Sequence, residues 1–288
     1  SKLPKEYFSK IDDAIRGSNF WTKDNSVSSI DAGPKGSLQS PAALSLETAL
    51  QEVFDSLSLD IDAYVSTFDT DDESFQLNPG HPAYPNRWLI DAKWYVSKQR
   101  PGRNTIDLQI MPYGEEADSS DVDPSALVRH IAQTVRHELV HYTQMKKQSL
   151  KKGLYSDIEA FEDMLKDPKQ VPNEDNARYW DVYRPTGQTD PETGEEIVEK
   201  EGFNQKLYTQ DYLNSHIEID AHAHDAAEEL LALYGLEGSK RFLSGEINPE
   251  DPKVPNAIQH YFGYLSSESR TVKELKKKIF KYLEYFTE

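Results

Sequence analysis

Residues 125–146 read SALVRHIAQTVRHELVHYTQMK, and this stretch decides how the rest of the chain is interpreted. Apolar side chains recur three and four residues apart, which predicts an amphipathic helix with a buried stripe. Within it His137 and His141 stand four residues apart, and therefore one turn apart on the same face. Glu138 lies beside them, one step round the helix. The apolar stripe consists of Leu127, Val128, Ile131, Val135 and Leu139.

The spacing His137-Glu138-Leu139-Val140-His141, an HExxH pattern, has a chemical reason. Two imidazoles one helical turn apart can bind one Zn²⁺ through ring nitrogens at about 2.0–2.1 Å. Glu138 can then accept a proton from a water molecule that the metal activates, without being a ligand itself. The pattern predicts a zinc hydrolase, most often a peptidase. Because five residues are a short pattern, a helix, a third ligand and a neighbouring strand must distinguish it from a chance occurrence.

The charge and composition of the chain exclude several classes of protein. The 288 residues carry a formal net charge of −18, which argues against nucleic-acid binding by neutralisation of phosphates. No apolar run approaches the roughly 18–20 residues of a membrane span, so no membrane association is expected. The chain has no cysteine, so any metal site must use histidine and carboxylate ligands. A cytoplasmic location is the default, since nothing points to an oxidising compartment.

Two segments with alternating apolar side chains precede the HExxH helix and predict β-strands. Residues 87–96 and 105–111 have the period of two expected of half-buried strands, and the turn residues Pro101-Gly102 lie between them. The predicted fold class is α+β, mostly helical, with a small mixed or antiparallel sheet next to the HExxH helix. Helices are predicted at residues 4–16, 40–57, 125–146, 156–166, 209–234 and 256–287.

One domain is expected over residues 1–288. It contains an acidic insert or loop region at 147–210 and a C-terminal helical part at 236–288. Inside the insert, the turn-forming segments 185–187 and 191–194 predict an exposed hairpin. Gly235 predicts the end of the helix that precedes the C-terminal part.

A second cluster of histidines lies at residues 216–225, which read HIEIDAHAHD. Only one face of a helix can point at a zinc ion, and the small Ala221 near the Glu218 face would permit close approach. We therefore expect Glu218 to be the third ligand, with His222 and His224 as alternatives. Helical geometry places Glu218, His222 and Asp225 on one face, and His216, Asp220 and His224 on roughly the opposite face.

These motifs carry a resemblance to known families. HExxH followed by a distant helix bearing Glu resembles the gluzincin branch of zinc metallopeptidases. The strings HELVHYTQ (137–144) and EIDAHAHD (218–225) resemble small zincin-like proteins encoded by bacteriophages. The chain departs from the common gluzincin pattern in one respect, because His222 stands four residues after Glu218, where that pattern has Asp.

The resemblance implies a single zincin-like domain that holds one zinc ion per chain. His137, His141 and Glu218 match the metal ligands, and Glu138 matches the general base. The strand at 105–111 matches the position of the edge strand that pairs with an extended substrate, a case of β-augmentation.

The predicted function is that of a zinc-dependent metallopeptidase acting on a peptide or protein substrate. A tetrahedral intermediate needs a hydrogen-bond donor besides the metal. Tyr208, Tyr212, His216 and His224 are close in sequence to Glu218, and Tyr212 is the favoured donor. The alternative is a non-catalytic zinc-binding protein with a zincin-like fold, located in a virion or engaged with an assembly partner. If the chain is viral, its location is the host-cell cytoplasm or the virion.

Overall fold

A computed structural model describes residues 4–18, 41–65, 88–96, 103–112, 124–167, 172–191, 194, 196–246 and 256–288. The chain divides into two compact units, Ser1–Glu162 and Asp163–Glu288, which are described separately. The described residues are mostly helical with a small mixed sheet, as expected for the α+β class. Every helix in these ranges is too short or too polar to cross a membrane.

The first unit contains three strands, β1 (Leu59–Val65), β2 (Trp88–Val96) and β3 (Asn104–Pro112). Their order in the sheet is β1–β3–β2, with β3 parallel to β1 and antiparallel to β2. The predicted strands at 87–96 and 105–111 are confirmed, whereas the turn at Pro101-Gly102 lies outside the described residues. The expectation that 105–111 is an edge strand is wrong, because β3 has a hydrogen-bonded neighbour on both sides.

Four helices belong to this part of the chain: α1 (Glu6–Gly17), α2 (Pro41–Phe54), α3 (Pro124–Lys152) and α4 (Asp157–Lys166). The predicted apolar stripe of α3 is buried throughout its length. Arg136, on another side of α3, is also buried and forms a 3.1 Å ion pair with Asp12 of α1. At the end of α3, Lys146 pairs with Asp157 at the start of α4, with an N–O distance of 2.6 Å.

The outer edge of β1 is covered by side chains of α2. The Ile61 N–H donates to Gln51 Oε1 at 3.0 Å, and the Ala63 N–H donates to Glu47 Oε2 at 2.9 Å. Gln51 Nε2 donates in turn to the Leu59 carbonyl at 3.0 Å. Because these contacts follow one another along β1, its outward backbone groups are engaged by α2.

The second unit begins with an exposed antiparallel hairpin of β4 (Trp180–Thr189) and β5 (Glu196–Phe203), as predicted for the 147–210 region. The second predicted turn segment, 191–194, includes residues 192–193, which lie outside the described residues. The first, 185–187, lies inside β4, where the pairing register is irregular. Four aromatic rings pack against one another at the base of the hairpin: Tyr179, Trp180, Phe203 and Tyr208.

Four helices follow: α5 (Gln205–Asn214), α6 (His216–Leu243), α7 (Asn256–Tyr264) and α8 (Arg270–Thr287). The prediction of one helix over 209–234 is wrong, because Ser215 interrupts it and caps α6 by accepting from the Glu218 N–H at 3.3 Å. The predicted break at Gly235 is confirmed, since this residue has φ 64° and ψ −177° within α6. Helices α6, α7 and α8 share one apolar core, which includes Ile219, Leu230, Ile258, Tyr261, Leu275 and Leu283.

Candidate metal centre

The HExxH residues converge on α3 as the sequence predicts. One ligand atom from each of His137, Glu138 and His141 lies within 4.8 Å of the others, which is close enough for one metal ion. The two imidazole rings have centroids 4.9 Å apart and planes inclined at 80°. His141 and Glu138 are each 8% exposed, so the cluster is largely withdrawn from water. The two imidazoles are ligands suited to Zn²⁺ and to other divalent transition metals, and the Glu138 carboxylate lies beside them.

The orientation of the His141 ring is held by Gln144, one turn further along α3. His141 Nδ1 lies 3.1 Å from Gln144 Oε1. In the tautomer that carries its proton on Nδ1, the ring donates to this amide oxygen and keeps the Nε2 lone pair for a metal. Gln144 was missed by sequence reasoning. Its spacing of three residues from His141 is the signal that could have identified it.

The carboxylate of Glu138 reaches the backbone of β2. The Trp94 N–H donates to Glu138 Oε2 at 2.8 Å, in a buried bond between residues 44 positions apart. In an antiparallel pair, alternate residues direct their backbone groups away from the partner strand, so this N–H lies on the outer edge of β2. Trp94 is fixed in turn by an edge-to-face contact with Phe161 of α4, with ring centroids 5.2 Å apart. The β2 edge thus lies beside the HExxH carboxylate.

In the second unit, the Glu218 face of α6 is organised around the imidazole of His222. His222 Nε2 lies 3.8 Å from Glu218 Oε2, and His222 Nδ1 lies 3.9 Å from Asp225 Oδ2. Asp225 lies between the two faces of α6, because its other oxygen, Oδ1, is 3.6 Å from His224 Nδ1. The Tyr212 ring lies 6.0 Å from the His222 ring, and the Tyr261 ring lies 5.5 Å from it.

The opposite face of α6 packs against α8. Asp220 accepts a 2.8 Å hydrogen bond from Lys278, and the His224 ring contacts the Tyr282 ring at 5.2 Å. His216 pairs with Glu274 at 3.3 Å. His224 is only 1% exposed because it is enclosed by this packing. The other two candidates for the third ligand, Glu218 and His222, lie on the face that does not pack against α8.

The other predicted hydrogen-bond donors have distinct surroundings. Burial, followed by the charge and hydrogen bond of Glu174, raises the pKa of Tyr208 to about 12. Tyr212 is half-buried beside His222. Tyr261 on α7 was missed, because nothing in the local sequence of α7 indicates which residues of α6 it contacts.

Comparison of the chain with protein-family models, with curated proteins and with solved structures finds no match.

Proposed function

We propose that this chain is a zinc-dependent metallopeptidase with a zincin-like fold, which hydrolyses a peptide or protein substrate. The observation that carries the proposal is the position of Glu138. One of its carboxylate oxygens lies within 4.8 Å of a ring nitrogen of each of two histidines on the same helix. The carboxylate also accepts a hydrogen bond from a backbone N–H at the outer edge of β2. A base next to a metal and next to an extended substrate is what peptide hydrolysis requires.

His137 and His141 are two of the zinc ligands in this proposal, and Glu218 is the third. Two histidines with one glutamate are a known ligand set of catalytic zinc. Glu218 is favoured over His222 because the sequence pattern, a distant helix bearing Glu, matches that set. Zinc bound by these residues would polarise a substrate carbonyl and lower the pKa of a coordinated water to about 7.

The chain's own residues then move the proton. The Trp94 N–H holds Glu138 Oε2, which leaves Oε1 to accept a proton from the attacking water and to deliver it to the leaving amine. Gln144 holds the His141 ring in its ligating tautomer. Tyr212, beside His222, remains the proposed donor to the tetrahedral intermediate.

The substrate would extend along the outer edge of β2. The central position of β3 excludes that strand, and α2 covers the outer edge of β1. The Trp94 N–H is engaged by Glu138, and the other described backbone groups on the outer side of β2 point away from β3 and can pair with an added strand.

Replacement of Glu138 by Gln tests the base. Gln keeps an oxygen that can accept from the Trp94 N–H, so the variant is expected to fold and to bind zinc at the wild-type stoichiometry. Hydrolysis of a peptide library, measured by mass spectrometry with and without chelator, should disappear. Glu47→Gln is the matched control, because Glu47 accepts from a strand N–H in the same way at the other edge of the sheet. Retained turnover in the Glu138 variant would refute the role of this residue.

Replacement of Glu218 by Ala, compared with His222→Ala, tests the third ligand. Glu218→Ala should lower zinc affinity sharply, and His222→Ala should lower it much less. Metal content measured by atomic emission gives the answer. A variant without Glu218 that still carries one zinc per chain would transfer the ligand role to another residue.

One observation favours a second candidate, a non-catalytic zinc-binding virion or assembly protein. Glu138 links α3 to β2 through the Trp94 N–H and therefore has a structural role as well. Zinc binding without chelator-sensitive cleavage of any peptide would support this alternative.

A further inference from the structure

Tyr261 of α7 is the largest fully buried side chain in the described part of the chain, with 0% exposure. Among the described residues, its hydroxyl has no hydrogen-bond partner. A buried hydroxyl without a partner is costly, and such groups in native proteins usually serve a ligand, a water molecule or a reaction. The surroundings of Tyr261 indicate which of these it serves.

Tyr261 faces the carboxylates of α6. Its ring meets the His222 imidazole edge to face at 5.5 Å, and this imidazole lies between Glu218 and Asp225. A phenol ordinarily keeps its proton at neutral pH. The Tyr261 hydroxyl can therefore act as a hydrogen-bond donor to a carboxylate.

A carboxylate that ligates a metal through one oxygen has acceptor capacity left on the other oxygen. Donors to such oxygens orient the ligand and set its affinity for the metal. In the proposed zinc site, the acceptor is the Glu218 oxygen that does not bind the metal. The buried hydroxyl of Tyr261 is a donor that lies against the same face of α6.

We propose that Tyr261 is a positioning residue: when Glu218 binds the metal through one oxygen, the Tyr261 hydroxyl donates to the other oxygen and orients Glu218. This inference rests on the proposed zinc site and adds a residue from α7 to it. Tyr261 acts through Glu218 and touches neither the metal nor the substrate.

The chain offers a matched control on the opposite face of α6. Tyr282 is also buried, at 8% exposure, and its ring contacts His224 as that of Tyr261 contacts His222. Its hydroxyl bonds with Asp220, on the face that packs against α8. Tyr261→Phe and Tyr282→Phe therefore remove the same atom from two buried tyrosines that contact different histidines of α6.

The experiment measures zinc affinity of the full-length wild type and both variants by competition with a chromogenic chelator. Tyr261→Phe should weaken zinc binding about 10-fold, the lower end of the effect of losing a residue that orients a ligand. It should also shift the visible absorption bands of the Co²⁺-substituted protein, and Tyr282→Phe should change neither quantity. Thermal unfolding of the metal-free proteins controls for a general loss of structure.

A double-mutant cycle gives the result that a merely structural role would not produce. In a Glu218→Ala background, Tyr261→Phe should have no further effect on the remaining zinc affinity, because the acceptor of the Tyr261 hydroxyl has been removed. Wild-type affinity and an unchanged Co²⁺ spectrum in Tyr261→Phe would overturn the inference while leaving the proposed function intact. A wild type that binds no zinc would overturn both.

Discussion

At both outer edges of the sheet in the first unit, a helix carboxylate accepts a hydrogen bond from a strand N–H, but the surroundings of the two bonds differ. At the β1 edge, Glu47 accepts from the Ala63 N–H at 2.9 Å, and at the β2 edge Glu138 accepts from the Trp94 N–H at 2.8 Å. In each case a helix places a carboxylate on an outward backbone donor. Gln51 adds two further contacts at the β1 edge, whereas Glu138 is flanked by two imidazoles. The same bond closes one edge and, in the proposed function, positions the general base at the other, so the role of such a bond depends on its neighbours.

The largest difference between the edges is expected in catalysis. Glu138→Gln should lower kcat/KM about 10²- to 10⁴-fold, the usual contribution of a general base. Glu47→Gln should leave kcat/KM unchanged, because no metal ligand lies beside it. Steady-state kinetics on a peptide identified from the library experiment would measure both. Equal losses in the two variants would mean that the edges do not differ in function.

A second difference should appear in metal binding. Gln144→Ala removes the partner of His141 Nδ1 and should weaken zinc affinity about 10-fold, through loss of the ligating tautomer. Gln51→Ala removes a glutamine that contacts the β1 edge and Asp55, and it should leave the zinc affinity unchanged. Chelator competition gives both values. An unaltered dissociation constant for Gln144→Ala would show that the His141 tautomer is fixed by another group.

A pair of alanines in equivalent registers tests which edge receives the substrate. Ala63 of β1 and Ala92 of β2 both pair with Leu108 of the central strand. Ala92→Pro removes an outward N–H and should raise KM by up to about 10-fold, roughly the contribution of one hydrogen bond. Ala63→Pro should leave KM unchanged and lower stability by about 1 kcal/mol, since it breaks the bond to Glu47. A KM effect confined to Ala63→Pro would reverse the assignment of the edges.

The smallest effect is expected on stability at the β1 edge. Glu47→Ala leaves the Ala63 N–H without its acceptor and should lower the free energy of unfolding by about 1 kcal/mol. That change corresponds to a shift in melting temperature of roughly 2–4 °C in a chain of this size class. Thr48→Ala, at an exposed neighbouring position, is the control for helix propensity. Differential scanning calorimetry can resolve the difference.

Local patterns predicted the elements of the fold better than their arrangement. The stripe of α3, the HExxH cluster and the alternation in β2 and β3 depend on residues close in sequence, and each was predicted. The alternation Leu59, Ile61, Ala63 and Val65 was equally available and was missed. The order of the strands, which makes β3 central, depends on pairing between distant segments, and no local pattern records it.

The break between α5 and α6 shows a signal that was present but not used. Ser215 and Glu218 have the spacing of a capping box, in which a serine begins a helix and a glutamate stands three residues later. The structure forms half of this box, because Ser215 accepts from the Glu218 N–H while its own N–H donates to the Tyr212 carbonyl. The Glu218 side chain lies beside His222 instead. By contrast, the contacts of Glu138 with Trp94 and of His222 with Tyr261 join distant segments and could not be read from sequence.

The bond between Glu138 and the Trp94 N–H has an evolutionary consequence. In the proposed function, Glu138 serves both the fold and the reaction and is therefore under two selective pressures. Loss of the reaction removes only one of them. A descendant without hydrolysis would still need a side chain long enough to accept from this N–H, and Gln would satisfy that need as well as Glu. Among relatives of this chain, drift from Glu138 to Gln would therefore mark lineages that lost catalysis, whereas drift at Glu47 would carry no such information.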